Sequence, residues 1–275
     1  MTQTHSTWLS LRWLRAALLV LACGSAMPVF AGGVHLEALT WTELRDRVAA
    51  GATTVLIPIG GTEQNGPHMS LGKHNVRVGL LATRIAERLG NAIVAPVIAY
   101  VPEGAIEPPT QHMRYPGTIS IPVPVFEATL EAAARSLQRH GLRDVVFLGD
   151  HGGYRASIDR VAAKLNREWG AASRVHALPE YYRAAQDDFA AALKARGFAA
   201  DEIGLHAGLA DTALMLALDA RQVRMQAAVA RPPGASGDGA TGDPRRATAE
   251  LGQFGVERIV EASVAAIRAV ARKPK

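Results

Sequence analysis

Apolar residues along this chain fall either in short unbroken runs or at helical spacing. Thr53–Ile59 (TTVLIPI) is a β-branched run ending in Gly60-Gly61, the pattern of a buried strand entering a loop. Val76–Leu89 repeats its apolar residues every three or four positions and stops at Gly90, which predicts a helix. Ala92–Ala99 reads as a second buried strand, with Pro96 assigning it to an edge or a bulge. A Pro-rich connection from Pro102 to Pro124 follows, long enough to suggest a functional loop. Beyond it the pattern predicts a helix over Phe126–His140, a strand over Asp144–Leu148 and a helix over Tyr154–Trp169. A strand over Val175–Leu178, a buried helix over Leu209–Leu218 and a long amphipathic helix over Ala247–Ala271 complete the chain.

Strands alternating with helices predict an α/β fold, a single domain with a mostly parallel sheet flanked by helices. Ligands of such sheets gather where the carboxyl ends of strands give way to loops. Two segments rich in His and acid sit at such ends: Glu63–His74 after the first strand and Asp150-His151 after Leu148.

Composition narrows the class. The chain has 275 residues, enough for one large α/β unit, with 48% hydrophobic and 20% charged residues. Aromatics are only 5%, so the expected core is aliphatic. The net charge is +5, but no run of five Lys or Arg occurs, and basic residues alternate with acidic ones. That is a solvated surface, and no nucleic-acid partner is expected.

The N-terminus follows an export pattern. Arg12 and Arg15 precede the apolar run Ala16–Cys23, and small residues close it at Val29-Phe30-Ala31. Residues 1–31 are therefore expected to be a signal peptide cleaved after Ala31, leaving 32–275 as the domain, periplasmic or secreted. The stretch is too short and too interrupted for a stable membrane span. Residues 1–31 contain two Arg and no acid, so cleavage lowers the formal charge from +5 to +3. Cys23 is the only cysteine, so the mature protein would carry no thiol. Val20-Leu21-Ala22-Cys23 is also an imperfect lipobox, making a lipid anchor on Cys23 the alternative.

Three clusters could carry chemistry. Gly60–Asn75 holds Glu63, His68 and His74 on a Gly/Pro-rich segment that cannot bury them cheaply without a partner, and a divalent metal would be one. Solvated loop residues are the plainer reading. Gly149-Asp150-His151-Gly152-Gly153 puts a His where glycines admit close approach, or where it merely caps a helix. Gly204–Thr212 contains His206 and Asp211; the latter is a ligand or base, or simply an acid favoured at a helix start.

In order and spacing these clusters resemble the creatininase family of metal-dependent amidohydrolases. The family's segment G-x-x-E-Q-H-G-P-H-L-P-L-x-x-D is matched by GGTEQNGPHMSLGKH over residues 60–74, its N-G-H-G-G-N by GDHGGY from Gly149 to Tyr154, and its H-A-G-x-x-E-T-S-L-M-L by HAGLADTALML from His206 to Leu216. Leu39-Thr40-Trp41, Tyr115-Pro116-Gly117-Thr118 and Gly242-Asp243-Pro244 are lesser matches, so the likeness spans nearly the whole mature chain.

The resemblance implies a creatininase-like fold, a homo-oligomer, a small-molecule substrate and two metal ions. It also implies a ligand set of a Glu, a His, a bridging Asp, a second His and a further acid. Glu63 and His151 match outright. Asn65 stands where the first His is expected and His74 where the bridging Asp is expected. Asp211 replaces a Glu, and the alternative place for the further acid, after the N-G-H motif, holds Gly153. A carboxylate can bridge two cations and a neutral imidazole cannot. The expectation is therefore one ion rather than two, zinc with Mn²⁺ or Fe²⁺ as alternatives, on Glu63, His74 and His151, completed by Asp211. His206 resembles the family's proton shuttle, a task Asp211 could share. Asn65, as a loop holder, and His68, His112 and Asp150 are assigned to places behind the metal or against substrate.

The expected function is hydrolysis of a non-peptide, amide-like C–N bond, cyclic amides included, by metal-activated water. Two rivals remain: a retired binding or structural protein whose metal site decayed, and an iron enzyme of non-hydrolytic chemistry, since two His and one carboxylate also suit Fe(II).

Overall fold

Four parallel strands form the centre of the computed structural model, which describes residues 33–232 and 234–271; the expected signal peptide and Cys23 lie outside them. They are β1 (Thr54–Ile59), β2 (Ala92–Val94), β3 (Asp144–Gly149) and β4 (Arg174–Ala177), in the spatial order β2-β1-β3-β4. β1 is paired along its whole length with β3, from Thr54 opposite Asp144 to Ile59 opposite Gly149. The helices are α1 (Trp41–Ala49), α2 (Lys73–Leu89), α3 (Val123–Arg139), α4 (Arg155–Trp169), α5 (Pro179–Arg183), α6 (Phe189–Lys194), α7 (Ala200–Ile203), α8 (Leu209–Asp219), α9 (Met225–Ala230) and α10 (Ala249–Val270).

Residues of β1 and β3 are buried on both faces, as the unbroken apolar runs require. Leu56, Val146 and Leu148 face a layer containing α2, α8 and α10, while Val55, Ile57, Val145 and Phe147 face α3 and α4. The direction of winding reverses between β1 and β3, so their carboxyl ends form the crevice in which this sheet type binds ligands.

Among the elements that depart from the sequence reading, two bear on the site. β2 ends at Val94 rather than Ala99, because Pro96 has no N–H for the ladder. The chain still follows β1, with the Ile98 N–H donating to the Pro58 carbonyl at 2.9 Å, and β2 is an edge strand as expected. α2 starts at Lys73, three residues before the expected Val76, so Lys73 and His74 lie on its first turn, turned inward, and not on the loop. No helix among the described residues is long and apolar enough to cross a membrane.

Candidate active site

The turns after β1 and β3 are fastened by one phenol. The backbone N–H groups of Asp150 and His151 donate to the Tyr154 hydroxyl at 3.1 and 3.0 Å. That hydroxyl in turn donates between the carbonyls of Ile59 (2.7 Å) and Gly60 (2.8 Å). Asn65 holds the first turn, donating from its amide to the carbonyls of Glu63 (2.9 Å) and Ser70 (3.1 Å).

Glu63 is fully buried at the centre. Its Oε1 meets His74 Nε2 at 2.8 Å and lies 3.7 Å from His206 Nδ1. Its Oε2 has no hydrogen-bond partner, yet His112 Nε2 and His151 Nε2 stand 3.1 and 3.5 Å away. Burial alone would raise the Glu63 pKa, but the facing groups, His74 first, hold it below the carboxylate range. Burial lowers His112, and it brings His151 to about 3 and His206 to about 4. The three rings are therefore neutral at physiological pH, the form that ligates a cation.

A second carboxylate, unremarked in the sequence, joins them. Glu103, on the loop after β2, is 1% exposed and neither oxygen has a hydrogen-bond partner. Burial first, then the neighbouring Glu63 charge, raise its pKa to about 9. One ligand atom each from Glu63, Glu103, His112 and His151 lie within 4.8 Å of one another. Two imidazoles and two carboxylates, with orphaned buried oxygens among them, fit a divalent ion.

The other expected site residues occupy a deeper ionic layer. His74 spans two carboxylates, its Nδ1 lying 2.5 Å from Asp150 Oδ2 while its Nε2 faces Glu63. Asp150 also accepts from Arg77 Nε (2.9 Å) and the Tyr181 hydroxyl (2.7 Å). Asp211 accepts from Lys73 Nζ (3.0 Å), Arg77 (2.5 Å) and the Ala207 N–H (2.9 Å), so both its oxygens are occupied by protein donors. Burial would raise Asp211, but Lys73 and Arg77 bring it well below its ordinary value. Asp211 thus stands apart from the four converging donors, and His74 abuts them through Glu63. His68 is buried against the Thr212 hydroxyl at 3.0 Å.

A cavity of about 480 Å³ opens over the cluster, lined by Gln64, His112, Arg114, His151 and His206 among others. Gln64 Nε2 lies within 3.2 Å of His112, His206 and the Gly239 carbonyl, tying three walls together. Among the described residues two non-glycines have positive φ, Gln111 (49°) and Ala207 (54°), and each adjoins one of these histidines. Such conformations cost energy and persist where side-chain aim is constrained.

A family model for creatininase, creatinine amidohydrolase, matches residues 37–267. The chain belongs to the creatininase family. It is a hydrolase, as the family and its named members are. Creatinine amidohydrolase of Pseudomonas putida is 30% identical over 206 residues, covering 73% of this chain and 77% of that protein. The mycofactocin precursor peptide peptidase of Mycolicibacterium smegmatis is 34% identical over 119 residues, 42% of this chain and 45% of that one. A Zn-Zn type mutant creatininase superposes with a TM-score of 0.69 at 27% identity over 87% of this chain and 98% of its own. A manganese creatininase gives 0.70 at 27% identity over 86% and 98%.

Proposed function

We propose that this protein hydrolyses an amide-like C–N bond of a small molecule with the help of one divalent cation, zinc in preference to Mn²⁺ or Fe²⁺. The observation that carries the reading is Glu63 Oε2: buried, without a hydrogen-bond partner, and faced by His112 Nε2 and His151 Nε2. Glu63, His112 and His151 would hold the ion. Such an ion, when bound, supplies Lewis acidity that makes water a nucleophile near neutral pH.

The chain's own groups do the rest. Asp150 and His74 hold Glu63 from behind, fixing one oxygen so that the other faces the imidazoles. His206 Nε2 lies 2.9 Å from the Gln64 carbonyl oxygen, which leaves Nδ1 to face the cluster. Neutral and on the cavity wall, His206 can take a proton and return it to the departing nitrogen. Gln64 holds His112 with its side-chain amide and His206 with its backbone carbonyl.

The ligand types support one ion rather than two. Asn65 has turned its amide nitrogen to backbone carbonyls, and an imidazole at position 74 cannot bridge. Relatives named as acting on creatinine and on a peptide support an amide bond; the polar cavity favours a small polar substrate. A retired scaffold is the weaker reading, because convergent, neutral imidazoles around a bare carboxylate are costly to keep without a ligand. On the pattern of residues 1–31 we propose a location outside the cytoplasm, and on the family resemblance a homo-oligomer; cell fractionation and light scattering check the two.

The test is elemental analysis of protein purified without chelator or nickel resin, joined to a screen of creatinine, hydantoins, lactams and short peptides for amine release. About one equivalent of metal, with activity lost on chelation and restored by zinc, is expected. Metal well below half an equivalent would sink the reading.

A further inference from the structure

We propose that Glu103 is a ligand of this cation, supplied by the loop after β2. The inference rests on the hydrolase reading only for the presence of an ion.

The loop is built to deliver this carboxylate. The Glu103 N–H donates to Ser120 Oγ at 2.9 Å, and that hydroxyl donates to the Gly104 carbonyl at 2.7 Å. Val101 is bridged to Ser120 just before it. Room for the carboxylate exists because residue 61 is glycine: a Cβ there would come within 2.5 Å of Glu103 Oε1, and φ is +153°. A backbone so well fixed ends in a side chain with no donor for either oxygen, beside a second carboxylate that is also short of one. Both acids could be ionised together only against repulsion and without solvation, and one divalent ion would relieve both deficits.

The distances are compatible. Donors bonded at about 2.0 to 2.2 Å lie roughly 3.3 to 4.4 Å apart around a common ion. The observed spread of at most 4.8 Å needs only small side-chain shifts. Two other roles fit less well. A general base must reach substrate, but the cavity wall is formed by His112, His151 and His206, and Glu103 is not part of it. A carboxylate that merely orients His151 should bond its Nδ1, but Glu103 Oε2 is 3.6 Å away, beyond hydrogen-bond distance.

The roles separate by experiment. Chelator-treated wild type and Glu103→Gln are titrated with Co²⁺ by calorimetry and visible absorption, and their zinc forms are measured by X-ray absorption. A ligand predicts affinity reduced by more than about 100-fold, beyond what loss of an orienting partner produces. It also predicts one oxygen donor fewer at the zinc edge and, without metal, a melting temperature equal to or above wild type. Cobalt binding within about threefold of wild type, or weaker binding with an unchanged donor count, overturns the proposal. Should Glu103→Gln lose its far-UV dichroism, Glu103→Asp replaces it: altered cobalt bands support ligation and unaltered ones overturn it. If the wild type itself takes up no ion, the hydrolase reading fails as well. If the wild type binds one ion and hydrolyses while Glu103→Gln binds alike, only the present inference fails.

Discussion

The Tyr154 hydroxyl donates to the carbonyl of Ile59 at 2.7 Å, across the seam between the two strands that deliver Glu63 and His151. It accepts from two N–H groups as well; in Tyr154→Phe the Asp150 N–H keeps the Ile59 carbonyl at 3.1 Å, but the His151 N–H and the Gly60 carbonyl lose this partner. A cost of about 1 to 3 kcal/mol is expected for leaving such groups bare. Urea denaturation measures it, and a midpoint equal to wild type would show that water replaces the phenol.

Asp211 and Arg77 form a buried pair whose members cannot lose each other cheaply. Asp211→Asn should destabilise the fold by about 3 to 5 kcal/mol, because Lys73 and Arg77 then lose their shared counter-charge. Metal stoichiometry at low temperature should stay at the wild-type value, since both Asp211 oxygens already serve protein donors. Loss of metal with retained stability would instead make Asp211 a ligand.

His68 predicts acid sensitivity. Burial, then the Arg231 charge, lower its pKa to about 4 from the ordinary 6.5. Between those values the unfolded chain binds a proton that the folded chain refuses, so stability falls as pH drops from 6.5 towards 4. Each pH step of one across that window costs about 1.4 kcal/mol at most. His68→Gln should flatten the pH dependence of the urea midpoint in this range; an unchanged slope would refute the assignment.

Gly252 on α10 lies where a Cβ would sit 1.8 Å from the Ala213 carbonyl oxygen of α8. An exposed helix glycine gains about 1 kcal/mol on becoming alanine. Here the overlap is with backbone, so Gly252→Ala should lose about 3 kcal/mol or more by thermal melting. A gain would mean that α8 and α10 can slide apart without loss.

Much of this was legible in the chain because period carries burial. Val55–Ile59 and Val145–Leu148 are unbroken apolar runs, and they are the central strands. Glu63 and His151 follow those runs directly, so their convergence follows from parallel pairing. Lys73 and Arg77 were not legible as interior groups, because a charge on a helix looks solvated until its partners, Asp211 and Asp150, arrive from far along the chain. Glu103 was hidden for the same reason. Its place depends on the bridge from Val101 to Ser120 and on a hole at Gly61, and neither leaves a periodic signal.

Glu63, Glu103, His112 and His151 come from three stretches of chain, Glu103 and His112 both from the connection between β2 and α3. An ion gripping all four would act as a removable cross-link, restraining the long connection between β2 and α3 much as a disulfide would. Limited proteolysis should then cut that connection faster after chelation, and added zinc should restore its resistance.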